Sequence, residues 1–200
     1  CFHALFGPSG VGKTSLAKIL TGNITDFSGK VIKNGITQLL FTYNFERLPD
    51  WSEVGRHLEK VTPPSRKALK DNLVDIFGLK EITGKRFSSL SLGQKNRINL
   101  IRYLVQDFDL LVMDESLANV DEPMRETIIL EIKALFPDKY FLYISHNVSE
   151  VSKFCRRILV VREIFKPPQI VFVSGRDCTT DRSLKTADIE KTMLEVMNAC

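Results

Sequence analysis

Gly7-Pro8-Ser9-Gly10-Val11-Gly12-Lys13-Thr14 is the stretch of this sequence whose residue types and spacing lend themselves most directly to chemistry. In a G-x-x-x-x-G-K-[ST] pattern, small residues let successive backbone N–H groups turn inward around phosphate. Lys13 then reaches the outer phosphates, the Thr14 hydroxyl offers an oxygen to a divalent cation, and Ser15 continues into the following helix. A glycine-rich turn without function would carry some of the same residues. The context decides against it: apolar Ala4-Leu5-Phe6 precedes the loop and Thr14 to Leu20 follows with helical character, giving the strand, loop and helix that the mechanism needs.

A second constellation is Phe108-Asp-Leu-Leu-Val-Met113-Asp114-Glu115, an apolar strand ending in two carboxylates. Beside a phosphate-binding loop, Asp114 is placed to hold Mg²⁺ and Glu115 to polarise or deprotonate an attacking water. Alone, the pair reads equally as a solvated strand terminus. A third is Leu90-Ser91-Leu92-Gly93-Gln94, ahead of the helix expected over Lys95 to Val105. Ser91 offers a hydroxyl and Gly93 exposes backbone N–H groups at a helix N-terminus, where anions are favoured; a plain Ser N-cap with a glycine would look the same. Ser116-Leu-Ala-Asn-Val-Asp121 follows the carboxylates, and Ile144-Ser145-His146 ends the next apolar run. A lone His at a strand end is often only a structural hydrogen-bonder.

Order and spacing bring these pieces together. Leu90 to Gln94 closely resembles the LSGGQ signature of ABC ATPases, with Leu92 in place of the first glycine, and lies about fifteen residues before the acidic strand, as in that family. Ser116 to Asp121 is similar to the family's D-loop, and His146 resembles its switch histidine. The chain is therefore identified as resembling the ATP-binding subunit of an ABC transporter, closest to the importers of nitrate, sulfonate and taurine.

The resemblance implies ATP and Mg²⁺ as ligands. Catalysis falls to Glu115, His146 and Lys13. ATP falls to Gly7 through Ser15 together with Ser91, Gly93, Gln94 and Asp121, and the metal to Thr14, Asn44 and Asp114. It implies a head-to-tail pair of identical subunits, in which one copy's loop and carboxylates and the other's Ser91, Gly93 and Gln94 enclose ATP. It also implies transmembrane permease partners, an indirect solute-binding protein, import rather than export, and a place on the cytoplasmic face of the membrane. The insertion beginning near Trp51 would transmit motion to the permease.

Two departures stand out. The family usually has Gln before its helical insertion, whereas Tyr43-Asn44-Phe45-Glu46-Arg47-Leu48-Pro49-Asp50-Trp51 puts Asn44 there, one methylene shorter with the same amide chemistry. The family's adenine-stacking aromatic lies some two dozen positions upstream of the phosphate loop, where this sequence has six residues and no initial Met. A further N-terminal segment is expected.

The elements that must position these residues follow from periodicity. Ala4 to Phe6, Ile36 to Tyr43 after a short Lys30-Val-Ile-Lys33, Phe108 to Met113, Tyr140 to Ile144 and Ile158 to Val161 read as strands. Met124, Ile128, Ile129, Ile132 and Leu135 trace a helix between two of them, and Leu69, Leu73, Ile76 and Phe77 trace another. Ile170 to Val173 reads as a further strand, and Ile189, Met193, Val196 and Met197 as a terminal amphipathic helix. Apolar strands alternating with helices give an α/β class: a P-loop NTPase fold with a largely parallel sheet flanked by helices and an inserted α-helical subdomain. The expected division is a core over 1–44 and 107–200 with a helical subdomain over 45–106.

Bulk properties agree with this reading. The sequence has 200 residues, 44% apolar and 26% charged, enough for a substantial core. No apolar run reaches the roughly 20 residues that span a bilayer, and no secretory signal opens the chain. Cys1, Cys155, Cys178 and Cys200 lack metal-ligand spacing and read as reduced thiols. A net charge of +4 without Lys/Arg runs gives no nucleic-acid footprint. Soluble ABC ATPases of nucleic acid or ribosomes, which usually carry paired cassettes or coiled coils, are the alternative, together with a nucleotide-gated regulatory module.

Overall fold

The computed structural model describes residues 1–180 and 185–200, and its contacts divide the chain into two compact units. The first comprises Cys1–Phe41, Phe108–Glu115 and Ile132–Cys200; the second comprises Thr42–Asp107 and Ser116–Glu131. The second unit thus takes in a stretch after Glu115 that the sequence division leaves with the core.

Strands β1 (Phe2–Phe6), β2 (Leu39–Tyr43), β3 (Leu110–Asp114), β4 (Tyr140–Ile144), β5 (Arg157–Val161) and β6 (Ile170–Ser174) form one sheet in the order β2-β3-β4-β1-β5-β6. β2 begins in the first unit and its last two residues count with the second. The β3–β4, β4–β1 and β1–β5 pairs are parallel, and β6 closes the edge antiparallel to β5. The apolar runs explain the parallel pairs, because such strands are covered on both faces. Leu5, Val112, Ile144 and Ala17 form one buried cluster with Leu16, Leu142 and Leu159 packed on it. Elsewhere in the unit Phe108, Phe136 and Phe141 pack ring on ring at centroid separations of 5.6–6.2 Å, and Phe2 stacks on Phe141 at 5.4 Å. Full burial of each such ring is worth roughly 1.5–3 kcal/mol.

Register matters for function. Leu5 and Asp114 both lie opposite Ile144, so β1, β3 and β4 end level and the chain turns that follow them gather at one edge. In open parallel sheets that carboxyl edge is where ligands bind. Helix α1 (Lys13–Leu20) leaves from this edge and ends before Gly22, which has φ 80°.

The second unit holds α2 (Val54–Val61), α3 (Lys67–Ile76), α4 (Leu92–Leu104) and most of α5 (Glu122–Leu135). Val54, Leu58, Leu73, Phe77, Phe87, Ile98 and Ile101 are buried there. Back in the first unit, α6 (Val148–Phe154) and α7 (Thr186–Ala199) pack on each other. Lys133 ties the segment after β6 down by donating to the carbonyls of Phe154 and Cys178 and to Asp177.

Two expectations are corrected. The strand expected over Ile36 to Tyr43 begins only at Leu39, as β2, and the short Lys30 to Lys33 before it, with Ile32 77% exposed, carries no strand. Helix α4 begins at Leu92 rather than Lys95, because Ser91 caps it there. The four cysteines are free thiols, and among the described residues no helix is long and apolar enough to cross a membrane.

Candidate phosphate and metal site

In the first unit, Ser9, Gly10, Gly12, Lys13, Thr14, Ser15, Asp114, Glu115 and His146 line one cavity of about 250 Å³. The loop between β1 and α1 makes its floor. Gly12 caps α1 with φ 96° and offers no side chain, so the first-turn N–H groups meet neither a helical carbonyl nor a capping oxygen. A Cβ on Gly10 or Gly12 would meet no atom within 4 Å; it would stand in the open cradle itself. Gly7, Pro8 and Val11 stay out of the lining. Gly7 and Pro8 act through their carbonyls, each accepting a hydrogen bond of 2.8 Å from Lys13 Nζ. Burial lowers the Lys13 pKa, while the charges of Glu115 and Asp114 work to raise it.

Asp114 closes β3 and is buried, and its Oδ2 accepts from Thr14 Oγ1 at 2.7 Å. Burial pushes its carboxyl pKa up; the Thr14 hydroxyl bond opposes the shift and the neighbouring Glu115 adds to it. Glu115 is the first residue past the strand and has φ 50°, a left-handed conformation that costs a non-glycine residue on the order of 1–3 kcal/mol. Its N–H donates to the Ile144 carbonyl at 3.0 Å, and its carboxylate pairs with His146 Nε2.

Sequence reasoning missed what holds His146. Buried Glu150 accepts from Tyr143 Oη at 2.9 Å, from Ser145 Oγ at 3.3 Å and from Asn147 Nδ2 at 2.9 Å, anchoring the chain on both sides of the histidine. Asn147 caps α6 by accepting from the N–H groups of Ser149 and Glu150. The signal was present as Asn147-x-x-Glu150, the spacing of a helix N-terminus with a carboxylate three residues on.

The remaining candidates belong to the second unit. Ser91 and Gln94 form a reciprocal capping box: Gln94 Oε1 accepts from Ser91 N at 3.0 Å and Ser91 Oγ accepts from Gln94 N at 3.2 Å. A Cβ on Gly93 would lie 2.2 Å from the Asn119 carbonyl oxygen, so only glycine lets these two backbones approach. Asp121 receives the Met124 N–H at 3.1 Å at the start of α5. Asn44 Oδ1 accepts from Asn96 Nδ2 and from Phe45 N, both at 3.0 Å.

The cavity in the first unit combines N–H donors, one buried ammonium and two carboxylates, a set that suits a phosphorylated ligand carrying a hard cation. Among the described residues no three His, Cys, Asp or Glu side chains cluster as a metal cage. Mg²⁺ needs none, since it is commonly held by one or two protein oxygens together with ligand phosphates. The Thr14 and Asp114 oxygens, 2.7 Å apart, fit that role.

Comparison with known proteins places this geometry. The ABC transporter family model matches residues 2–118. The molybdenum import ATP-binding protein ModC of Saccharophagus degradans is 30% identical over 98% of this chain and 58% of its own length. The taurine import ATP-binding protein TauB of Roseobacter denitrificans is 31% identical over 79% of this chain and 64% of its own length. The chain spans about half to two thirds of the curated relatives it matches. Among solved structures, a bacterial Atm1-family ABC exporter with ATP bound superposes with a TM-score of 0.69 at 21% identity, covering 81% of this chain and 32% of its own. An archaeal ribosome recycling factor in complex with a ribosomal stalk protein does so with a TM-score of 0.71 at 22% identity, covering 84% and 32%. These two show the fold alone.

Proposed function

The chain belongs to the ABC transporter family, and on that premise we propose that it is an ATP-binding and ATP-hydrolysing subunit that drives import of a small solute through a membrane permease. The observation that carries this reading is the single cavity joining the loop glycines, Lys13, Thr14, Asp114, Glu115 and His146.

In this reading Gly10, Gly12 and the first turn of α1 hold the phosphates, and Lys13 neutralises the outermost one. Thr14 and Asp114 hold Mg²⁺, which when bound offsets charge on the phosphate oxygens. Glu115 takes the proton of the attacking water, and His146, bonded to Glu115, keeps that carboxylate oriented. Ser91, Gly93, Gln94 and Asp121 serve the nucleotide of a second copy arranged head to tail, which makes the active form a homodimer. Asn44 serves the metal. The core and helical subdomain of the sequence division correspond to nucleotide handling and partner contact.

Permease subunits are the proposed partners, and the cytoplasmic membrane face the proposed location. A groove of about 840 Å³ in the second unit, flanked by exposed Trp51, Phe45 and Leu92 with Lys95 beside them, supports such a contact. Import rather than export follows the names of the relatives.

The test is phosphate release from Mg·ATP by the chain, alone and with a permease that co-purifies with it. Hydrolysis stimulated by the permease supports the reading. Absence of both ATP binding and hydrolysis in the partnered form overturns it.

A further inference from the structure

We propose that the second unit carries an anion site of its own, a basic cavity walled by Arg56, Lys60 and Arg86 that takes a phosphate group, either free or as the headgroup of an anionic lipid. All of its residues belong to that one unit. The inference does not depend on the nucleotide reading above.

The cavity measures about 500 Å³, and its wall sets three permanent cations, Arg56, Lys60 and Arg86, against one carboxylate, Glu53. The sequence builds most of this locally. Glu53, Arg56, His57, Lys60 and Val61 recur at i, i+3, i+4, i+7 and i+8, one face of α2 and its cap. Arg86 arrives from a distant stretch. Glu53 and Arg86 pair as an antiparallel bridge, and the N–H groups of Val54 and Gly55 donate to the Lys85 and Thr83 carbonyls at 3.0 and 2.7 Å. Backbone alone therefore sets Arg86 beside the start of α2. The same bonds occupy the two leading N–H groups of the helix, so attraction for an anion here comes from side chains.

Those side chains carry uncompensated charge. Glu53 reaches Arg56 at 3.9 Å with the side chains 48% and 80% exposed, a pair worth little in water. Among the described residues neither Lys60 nor Arg86 has a carboxylate within 4 Å. Arg56 and Lys60, four residues apart on one helix, repel each other, and a phosphate beside them removes that repulsion. The two guanidinium groups each offer paired N–H donors suited to such an oxyanion, and Lys60 adds a point charge.

His57 packs edge-on against Phe87 at 5.3 Å, and its Nε2 is buried without a hydrogen-bond partner. A turn of the ring towards an oxyanion oxygen would remove the cost of that unpaired atom. Trp51, 82% exposed, adds an apolar plate with an indole N–H, the combination favoured where a membrane surface meets water. The volume is that of a small-molecule site, with room for the group a phosphate is attached to.

Trp51 is the only tryptophan of the chain, so its emission reports on this unit and not on the phosphate loop of the other. The experiment titrates inorganic phosphate into the Lys13→Ala chain at constant ionic strength set with chloride, following Trp51 emission and binding heat. A saturating response is expected. Arg86→Ala and Lys60→Ala should each weaken it roughly tenfold, the worth of one charge-assisted hydrogen bond. Both side chains are exposed, and an unchanged melting temperature checks that the fold is kept. Arg86→Gln and Lys60→Gln, which keep the stem and remove the charge, replace any alanine variant that fails this check and should show the same weakening. Vesicles containing phosphatidylglycerol, set against vesicles of phosphatidylcholine alone, separate the two sources. A blue shift with the anionic vesicles that is lost in Arg86→Ala assigns the phosphate to a lipid headgroup, and a response to inorganic phosphate alone assigns it to a free anion. No saturating response to either overturns the site, as does an equal response in the charge variants or to chloride. Failure of the parent chain to respond to ATP overturns the nucleotide reading and leaves this site standing.

Discussion

Glu115 and His146 stand just past the ends of adjacent strands: Asp114 lies opposite Ile144 in the β3–β4 register, and the Glu115 N–H donates to the Ile144 carbonyl at 3.0 Å. The left-handed turn at Glu115 brings its carboxylate against His146 Nε2. In the proposed mechanism Glu115 is a general base, which must both reach its proton and stay oriented, and the pairing with His146 is what would orient it. Glu115→Gln keeps the size and most of the hydrogen bonding but cannot take a proton. Phosphate release should fall by about 10²- to 10⁴-fold, while the ATP-dependent rise in melting temperature persists and a dimer accumulates on size-exclusion chromatography. Unchanged phosphate release would remove Glu115 from the chemistry.

Lys13 is the one lysine or arginine among the described residues lining the cavity, and its bonds to the Gly7 and Pro8 carbonyls shape the loop. Lys13→Ala should abolish the ATP-dependent stabilisation, which for the parent amounts to about 2.7 kcal/mol at a hundredfold excess over Kd. The measurement is a difference with and without ATP in the same variant, so loss of the two carbonyl bonds cancels. A surviving ATP-dependent shift would mean that the phosphates are held elsewhere.

Asp114 links the site to stability through pH. Burial raises its native pKa above the ordinary value of 3.8, so the folded state favours the protonated carboxyl. That contribution is fully present below the unfolded pKa and is lost as pH rises through the raised native value. At neutral pH the buried carboxylate therefore costs stability in the ligand-free chain. Asp114→Asn retains an acceptor for Thr14 and should raise the melting temperature near pH 7, with the gain shrinking towards zero below about pH 4. A gain that ignores pH would point to packing instead of charge.

Much of this site was legible in the sequence because its parts are local. The loop glycines, the carboxylate pair and the histidine each follow an apolar run, and a parallel register then brings strand ends level without further information. The gaps came from partners distant in sequence. Nothing local shows that Gly93 packs against the Asn119 carbonyl, or that Asn96 reaches both Asn44 and Ala118. The strand readings held where strands have neighbours, and the one over Ile36 to Tyr43 shortened to Leu39–Tyr43 because pairing and not composition sets where a strand begins. A polar side chain next to a helix start can also serve the cap, as Gln94 does with Ser91, and their spacing was the visible sign.

Asp109 provides a second pH lever with the opposite sign, outside the cavity. Its Oδ2 accepts from Thr37 N at 2.8 Å, Thr37 Oγ1 at 2.7 Å and Gln38 N at 2.9 Å, while its own N–H returns a bond to the Gln38 carbonyl at 2.7 Å. This exchange fixes the chain where it enters β2 beside β3. The bonds from Gln38 and Thr37 favour the carboxylate and bring its pKa down to about 2. A depressed native pKa contributes stability that is present above the unfolded value and lost as pH falls through the native one. Asp109→Ala should therefore melt lower than the parent near pH 6, with the deficit closing progressively as pH falls from about 4 towards 2. Melting curves of both chains across that range give the test. A deficit that stays constant to the acid end would assign the effect to the lost side-chain packing and not to the carboxylate.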